Sequence, residues 1–332
     1  MDAAAGPAQV VSAPAIVFEH VSKSFPGSTL HAIDDVYLEV EPGSFVVLFG
    51  PSGCGKTTLM KMVNRLYEHD SGRVLVEGQE ARSFKATDLR RRIGYVIQST
   101  GLFPHMTVAE NIAIVPELVG WDKARIDKRI DELLELIGLS PREYYNRYPA
   151  QLSGGQQQRV GLARAMAADP SIMLMDEPFA AIDNITRRRL QDELIRIQSM
   201  VRKTILFVTH DIEEAIRLAD KIAVMRLGKV VQYDTPLNIL SNPADDFVAD
   251  LVGSEDVLRR LSLLSVPSVM SPVTDGAALD PNAPVLPIDA TLRDALGVIL
   301  SADTNLLTIV GVDGHPVGTL GLGAIRRATR QD

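Results

Sequence analysis

Ser44-Phe45-Val46-Val47-Leu48-Phe49-Gly50-Pro51-Ser52-Gly53-Cys54-Gly55-Lys56-Thr57-Thr58 is an apolar run that breaks into a glycine-rich loop and then into a helix start. Pro42-Gly43 supplies a turn before it, so the run reads as a strand buried on both faces. Strand, loop and helix in that order are the context in which the pattern G-x-x-x-x-G-K-[ST] becomes a phosphate-binding loop. Glycines let backbone N–H groups close on phosphate oxygens, and the helix N-terminus adds its dipole. In such a loop Lys56 reaches the β- and γ-phosphates and the Thr57 hydroxyl ligates Mg²⁺.

Two further runs repeat the apolar form. Ile172-Met173-Leu174-Met175 and Thr204-Ile205-Leu206-Phe207-Val208-Thr209 are each followed by polar residues instead of more core. Three buried strands imply an α/β fold with a mostly parallel, helix-covered sheet. Helical spacing marks Ile126, Ile130, Leu133, Leu134 and Ile137, and again Leu190, Leu194, Ile197 and Val201. Ile222 to Tyr233, turning at Gly228, reads as a hairpin.

Chemistry gathers where these runs end. Asp176 and Glu177 follow one strand, at the sheet edge where an open α/β fold keeps its ligand. Asp176 suits a metal, and Glu177 suits a general base for an attacking water. Alone, Asp-Glu-Pro is either a helix-starting turn or a catalytic pair; beside a phosphate loop the pair dominates. Leu152-Ser153-Gly154-Gly155-Gln156 is a second glycine-rich loop before a helix. It is either a capping turn at Ser153 or a phosphate-contacting loop. As the chain has one obvious nucleotide to bind, the latter implies a site completed by another copy.

The 332 residues are 46% hydrophobic and 23% charged, so two soluble domains are expected. No run of about 18 apolar residues occurs, and residues 1–15, rich in Ala, Pro and Ser, read as a flexible tail and not a signal peptide. A single cysteine excludes an internal disulfide or cysteine-built metal cluster and fits a reducing compartment. Cys54 sits at a helix N-terminus, where it is either a stabilised thiolate, exposed without nucleotide, or a small residue tolerated at a variable loop position. The net charge of −8 gives no reason to bind nucleic acid. Arg90-Arg91-Arg92 and Arg187-Arg188-Arg189 read as solvated helix faces.

Composition shifts near Gly253: the last lysine is Lys229 and the last aromatic is Phe247. Beyond that point Pro284 to Ile288 reads as a strand, Leu292, Ala295, Leu296 and Ile299 as a helix capped by Thr291, and Asp313-Gly314 as the turn of a hairpin. The predicted order is strand, helix, strand, strand, helix.

Gly50 to Thr58, Gln98, Leu152 to Gln156, Leu174 to Pro178, Asp183 and His210 stand in the order of an ATP-binding-cassette transporter ATPase, and residues 16–253 resemble that family. The resemblance implies a P-loop NTPase with a RecA-like core, an antiparallel β subdomain and a helical subdomain. It also implies ATP and Mg²⁺ as cofactors, with all of Gly50, Pro51, Ser52, Gly53, Cys54, Gly55, Lys56, Thr57 and Thr58 around the nucleotide. Phe25 resembles the aromatic that stacks on adenine. Gln98 resembles the residue joining Mg²⁺ and the water to the transporter contact, and His210 the histidine that meets the γ-phosphate. Ser153, Gly154, Gly155 and Gln156 resemble the signature loop that closes over the ATP of a second copy, and Asp183 a residue communicating across that dimer.

Gln98-Ser99-Thr100-Gly101-Leu102 is similar to the osmoprotectant group, whose solutes are glycine betaine, choline, carnitine and related quaternary amines. The implied partners are a second copy, a transmembrane permease and, indirectly, an extracytoplasmic solute-binding protein, at the cytoplasmic face of the membrane. Leu102, Phe103 and Pro104 would border the groove that receives the permease. Residues 254–332 resemble a linker and a single cystathionine-β-synthase (CBS) repeat, a small α+β domain that pairs with another copy or serves as a cap. Alternatives are an importer of an amino acid or another betaine, a soluble cassette acting on DNA or ribosomes, and a nucleotide sensor. The second of these lacks the coiled-coil, zinc insertion or fused cassettes such proteins need, and intact Glu177 and His210 argue against the third.

Overall fold

The computed structural model describes residues 13–27, 30–98, 101–180, 182–254, 256–273 and 283–329. Most of the expected tail, Ser99-Thr100 and Ala181 lie outside them. Two compact units divide between Asp234 and Thr235. The first runs β1 (Ile16–Lys23), β2 (Ile33–Val40), β3 (Phe45–Phe49), α1 (Lys56–Val63), β4 (Ser71–Val76), β5 (Gln79–Glu80), α2 (Ala86–Arg92), β6 (Ile93–Val96), α3 (Val108–Leu118), α4 (Lys123–Leu136), α5 (Pro141–Tyr144), α6 (Gly154–Met166), β7 (Ile172–Asp176), α7 (Asn184–Val201), β8 (Thr204–Thr209), α8 (Ile212–Leu218), β9 (Lys221–Arg226) and β10 (Lys229–Asp234).

Every residue of β3, β7 and β8 is buried, as strands covered on both faces must be. They lie in one sheet of order β10-β9-β3-β8-β7-β6. All its pairs are parallel except the β9–β10 hairpin at the edge. Parallel pairing brings the C-terminal ends of β3, β8 and β7 side by side, and the chemistry-bearing residues follow those ends.

A second sheet, β2-β1-β4-β5, is antiparallel throughout. It shares one apolar cluster with the parallel sheet: Ile16, Phe18 and Val74 lie in the same core as Val46, Leu59, Leu174 and Leu206. The antiparallel and RecA-like layers implied by the resemblance are both present. Helices α3, α4 and α6 pack on one another as the helical region. Its α4 buries Ile126, Ile130, Leu133 and Leu134, the stripe read from spacing. No helix of the described residues is long and apolar enough to cross a membrane.

The second unit holds α9 (Pro236–Ser241), α10 (Asp246–Val252), α11 (Val257–Leu263), β11 (Ser271–Pro272), β12 (Val285–Pro287), α12 (Leu292–Ser301), β13 (Leu306–Val310), β14 (Pro316–Gly321) and α13 (Leu322–Thr329). From β12 onward this is the predicted strand, helix, strand, strand, helix. Thr291 caps α12 in a capping box with Asp294. The Asp313-Gly314 turn differs from a two-residue hairpin: Gly311 N–H donates to His315 O and the Asp313 carboxylate accepts from His315 N–H, making a longer loop. Gly253, where composition shifts, is the left-handed cap of α10, and Arg259 of α11 reaches back to the Val252 carbonyl at 2.8 Å. The shift thus marks a helix junction within the second unit, not the division between units.

Candidate nucleotide site

The phosphate loop is built on glycine geometry. At Gly50 a Cβ would stand 2.4 Å from the Met225 carbonyl oxygen, and at Gly55, with φ 110°, 2.5 Å from that of Ala32. Any side chain at either position would push the loop off β9 or off the segment leading into β2. Gly55 delivers the chain into α1, where Lys56 is the first residue. Lys56 is 5% exposed, and its ammonium donates to the carbonyls of Gly50 at 2.7 Å and Pro51 at 2.9 Å. A buried cation held by its own loop is positioned for anionic oxygens. Pro51, Ser52 and Gly53 are exposed on the same loop, and Thr58 is half-buried on α1.

Cys54 departs from expectation. The side chain turns inward, 5% exposed, into the apolar cluster beneath the loop. Burial pushes its thiol pKa up, against the weaker pull of the Lys56 charge. An exposed thiolate is therefore not what the loop holds.

Thr57 and Asp176 meet as their spacing in the two motifs requires. The Thr57 hydroxyl donates to the Asp176 carboxylate at 2.8 Å, and Lys61 Nζ lies 3.8 Å from its other oxygen. Glu177, one residue on, has φ 44°, a left-handed conformation that costs a non-glycine residue roughly 1–2 kcal/mol. Its N–H donates to the Val208 carbonyl at 3.0 Å, which ties the bend to β8. The bend aims the Glu177 carboxylate at two further residues: Gln98 Nε2 donates to Oε2 at 3.4 Å, and His210 Nδ1 lies 3.2 Å from the same oxygen. Residues 98, 177 and 210 thus converge on one carboxylate oxygen, a geometry that can orient a water and hold a proton.

The remaining predicted residues are placed as follows. Phe25 is half-buried, edge-on to Tyr67 with ring centres 5.4 Å apart. Ser153 caps α6: its hydroxyl accepts from Gln156 N–H, and Gln156 Oε1 accepts from Ser153 N–H. The capping turn read at Ser153 is thus present. Gly154 has open space where a Cβ would be. Asp183 caps α7, accepting from Ile185 and Thr186 N–H groups, and those bonds hold its carboxyl below the usual range.

Sequence reasoning missed a cluster behind His210. Arg187, read as part of a solvated face, points inward: it donates to the Ile182 carbonyl at 2.9 Å and sits 3.5 Å from the Asp211 carboxylate and 3.8 Å from that of Glu214. Arg188 and Arg189 are exposed as expected. Glu214 is 5% exposed, its pKa raised by burial, and it accepts from the Thr209 hydroxyl at 2.6 Å. A spacing of Asp183, Arg187 and Gln191 along one side of α7 was the available signal.

Comparison with known proteins agrees with this geometry. Residues 33–180 match the family described as "ABC transporter". The chain is 51% identical over 305 residues to the glycine betaine uptake system ATP-binding protein YehX of Escherichia coli strain K12, spanning 92% of this chain and 97% of that protein. It is 45% identical over 306 residues to the osmoprotectant import ATP-binding protein OsmV of Salmonella typhimurium strain LT2, 91% of this chain and 78% of that one. Among solved structures, the dimeric post-hydrolysis state of the ATP-binding cassette MJ0796 bound to ADP and Pi superposes with a TM-score of 0.59 at 31% identity, over 67% of this chain and 98% of that one. A phosphate loop after β3, an acidic pair at the end of β7 in the same sheet and relatives of this identity lead to one conclusion: the chain belongs to the ATP-hydrolysing, nucleotide-binding subunits of the ABC transporter family.

Proposed function

We propose that this chain powers an importer of quaternary amines of the glycine betaine, choline and carnitine type. The observation that carries the hydrolytic part is the meeting of Gln98, Glu177 and His210 on one carboxylate oxygen beside Thr57 and Asp176. The solute class is supported by relatives named for uptake of those solutes.

In this reading Phe25 stacks on adenine and the N–H groups of Gly50 to Thr58 cradle the phosphates, with Lys56 opposite the β- and γ-phosphates. Thr57 and Asp176 offer hard oxygen donors 2.8 Å apart, and among the described residues no cluster of three acidic, His or Cys side chains could form a full metal cage. That donor set fits Mg²⁺, which takes one or two carboxylates plus phosphate oxygens; when bound, it would neutralise charge developing on those phosphates. Gln98, which donates to Glu177, would help hold the ion and orient the water once they are bound. Glu177 takes the proton of the attacking water, and His210 meets the γ-phosphate.

Ser153 to Gln156 lies at the start of α6, with Ser153 and Gly154 exposed. We assign it to the nucleotide of a second copy, with Asp183 signalling across that contact. The dimer docks on a permease at the cytoplasmic face of the membrane, near Leu102, Phe103 and Pro104, and an extracytoplasmic protein delivers the solute. Residues 254–332 are read as a linker and a single CBS-like repeat that pairs with its counterpart in the second copy.

The test is co-reconstitution of the chain in vesicles with the permease and solute-binding protein encoded beside it. Glycine betaine, choline or carnitine is expected to be taken up with ATP and to raise the ATPase rate. Stimulation by an amino acid, with none by the quaternary amines, would assign the chain to an importer of another small solute.

A further inference from the structure

Between the loop that ends at Asp183 and the turn that carries His210 lies a cluster of side chains to which the roles above assign nothing. Arg187 sits one turn into α7, and its backbone N–H donates to the Asp183 carbonyl at 2.8 Å. Its guanidinium donates to the Ile182 carbonyl and faces the carboxylates of Asp211 and Glu214. Glu214, from α8, accepts from the Thr209 hydroxyl, and that hydroxyl in turn accepts from the Asp211 N–H at 3.0 Å. Gln191, one turn further along α7, donates to Glu214 at 3.4 Å. The residues on both sides of His210 are thus tied to α7, while His210 itself is more than half exposed, with its Nδ1 3.2 Å from Glu177. Glu177, Arg187, Thr209, His210, Asp211 and Glu214 share the lining of one small polar cavity of about 40 Å³.

We infer that Arg187, with Glu214 as its buried anchor, is a positioning residue for hydrolysis: it ties the loop before Asp183 to the 209–211 turn, so that His210 takes its place over Glu177 only when that loop is in place. The inference rests on His210 acting at the γ-phosphate. A guanidinium suits the task because its fixed fork can hold a carbonyl on one loop and carboxylates on another at once, which an ammonium cannot do with the same geometry. The device needs no contact between Arg187 and nucleotide.

The experiment compares Arg187→Met, Arg187→Lys, His210→Ala and the double variant Arg187→Met/His210→Ala in the full chain. Steady-state ATPase kinetics are measured alongside Mg-ATP affinity from a fluorescent analogue. Arg187→Met is expected to lower kcat by about ten- to a hundredfold, the scale of a misplaced reacting group, with Kd for Mg-ATP within about twofold. Arg187→Lys should recover part of that loss. Adding Arg187→Met to His210→Ala should cost no more than about twofold further, because both changes act through one group. Should Arg187→Met not fold, Asp211→Asn removes the facing charge while keeping the cap of α8, and the same kcat loss at constant Kd is expected. Wild-type kcat in Arg187→Met, or losses that multiply in the double variant, would overturn the inference and leave the role of His210 standing. Wild-type turnover in His210→Ala would overturn both.

Discussion

Lys56, Asp176 and Glu214 are each no more than 8% exposed in the first unit, whereas Thr308 is the one buried polar side chain among the described residues of the second. The second unit is held by an apolar cluster of Leu261, Val266, Leu292, Leu307, Ile309 and neighbours, with its polar bonds spent on caps and turns. Burying a charge is costly unless partners surround it, and a fold that needed only stability would fill those places with apolar groups. The first unit keeps Lys56 and Asp176 at the C-terminal ends of β3 and β7, where the proposed nucleotide site lies, and Glu214 in α8, after β8. Among its described residues the second unit has a core and no comparable buried constellation.

That contrast can be broken by substitution. The largest effect is expected at Glu177→Gln, which keeps shape and hydrogen bonding but removes the base: ATP turnover should fall by about a hundredfold or more while Mg-ATP still binds. A turnover assay near the wild-type rate would hand the base role to another group. Lys56→Ala should act earlier, on binding itself. Loss of a charge-assisted contact worth about 1.5–3 kcal/mol raises Kd for ATP by roughly ten- to a hundredfold, as titration with a fluorescent nucleotide would show.

In the second unit the expected effects are smaller and thermal. Thr291→Ala removes the capping box of α12 and should cost about 1 kcal/mol in a denaturant titration without changing ATPase rate. A change in turnover would show that the second unit's stability feeds into the first unit's site. The smallest effect concerns Cys54: because its thiol is buried and its pKa raised, maleimide labelling of the native protein should be slow and nearly the same with and without Mg-ATP. Fast labelling blocked by nucleotide would restore the exposed thiolate.

How much of this was legible follows from what kind of signal each part leaves. The strands that carry the site are fully buried, so they appear as unbroken apolar runs, and Gly50 to Thr58 has a spacing that phosphate chemistry dictates. The α4 stripe was read from period, and the order of the C-terminal elements from apolar runs, the Thr291 cap and the Asp313-Gly314 turn. The antiparallel sheet came only from resemblance, because β1 changes register between Phe18 and Val21 and again before Lys23, which spoils the alternation that marks a strand. Arg187 and Cys54 were misread for a common reason. A charge run looks solvated and a thiol at a helix start looks exposed until tertiary packing shows that Arg187 faces two carboxylates and that Cys54 drops into the core.

The central claim is that Glu177 works in a site that one chain does not complete, with Ser153 to Gln156 closing over the nucleotide of a second copy. Light scattering on Glu177→Gln during size-exclusion chromatography tests it most directly, in Mg-ATP and then in Mg-ADP. The account predicts a species of twice the monomer mass in Mg-ATP, lost in Mg-ADP and lost again when Ser153→Arg is added to block the loop. A protein that binds Mg-ATP yet elutes at the monomer mass would contradict it.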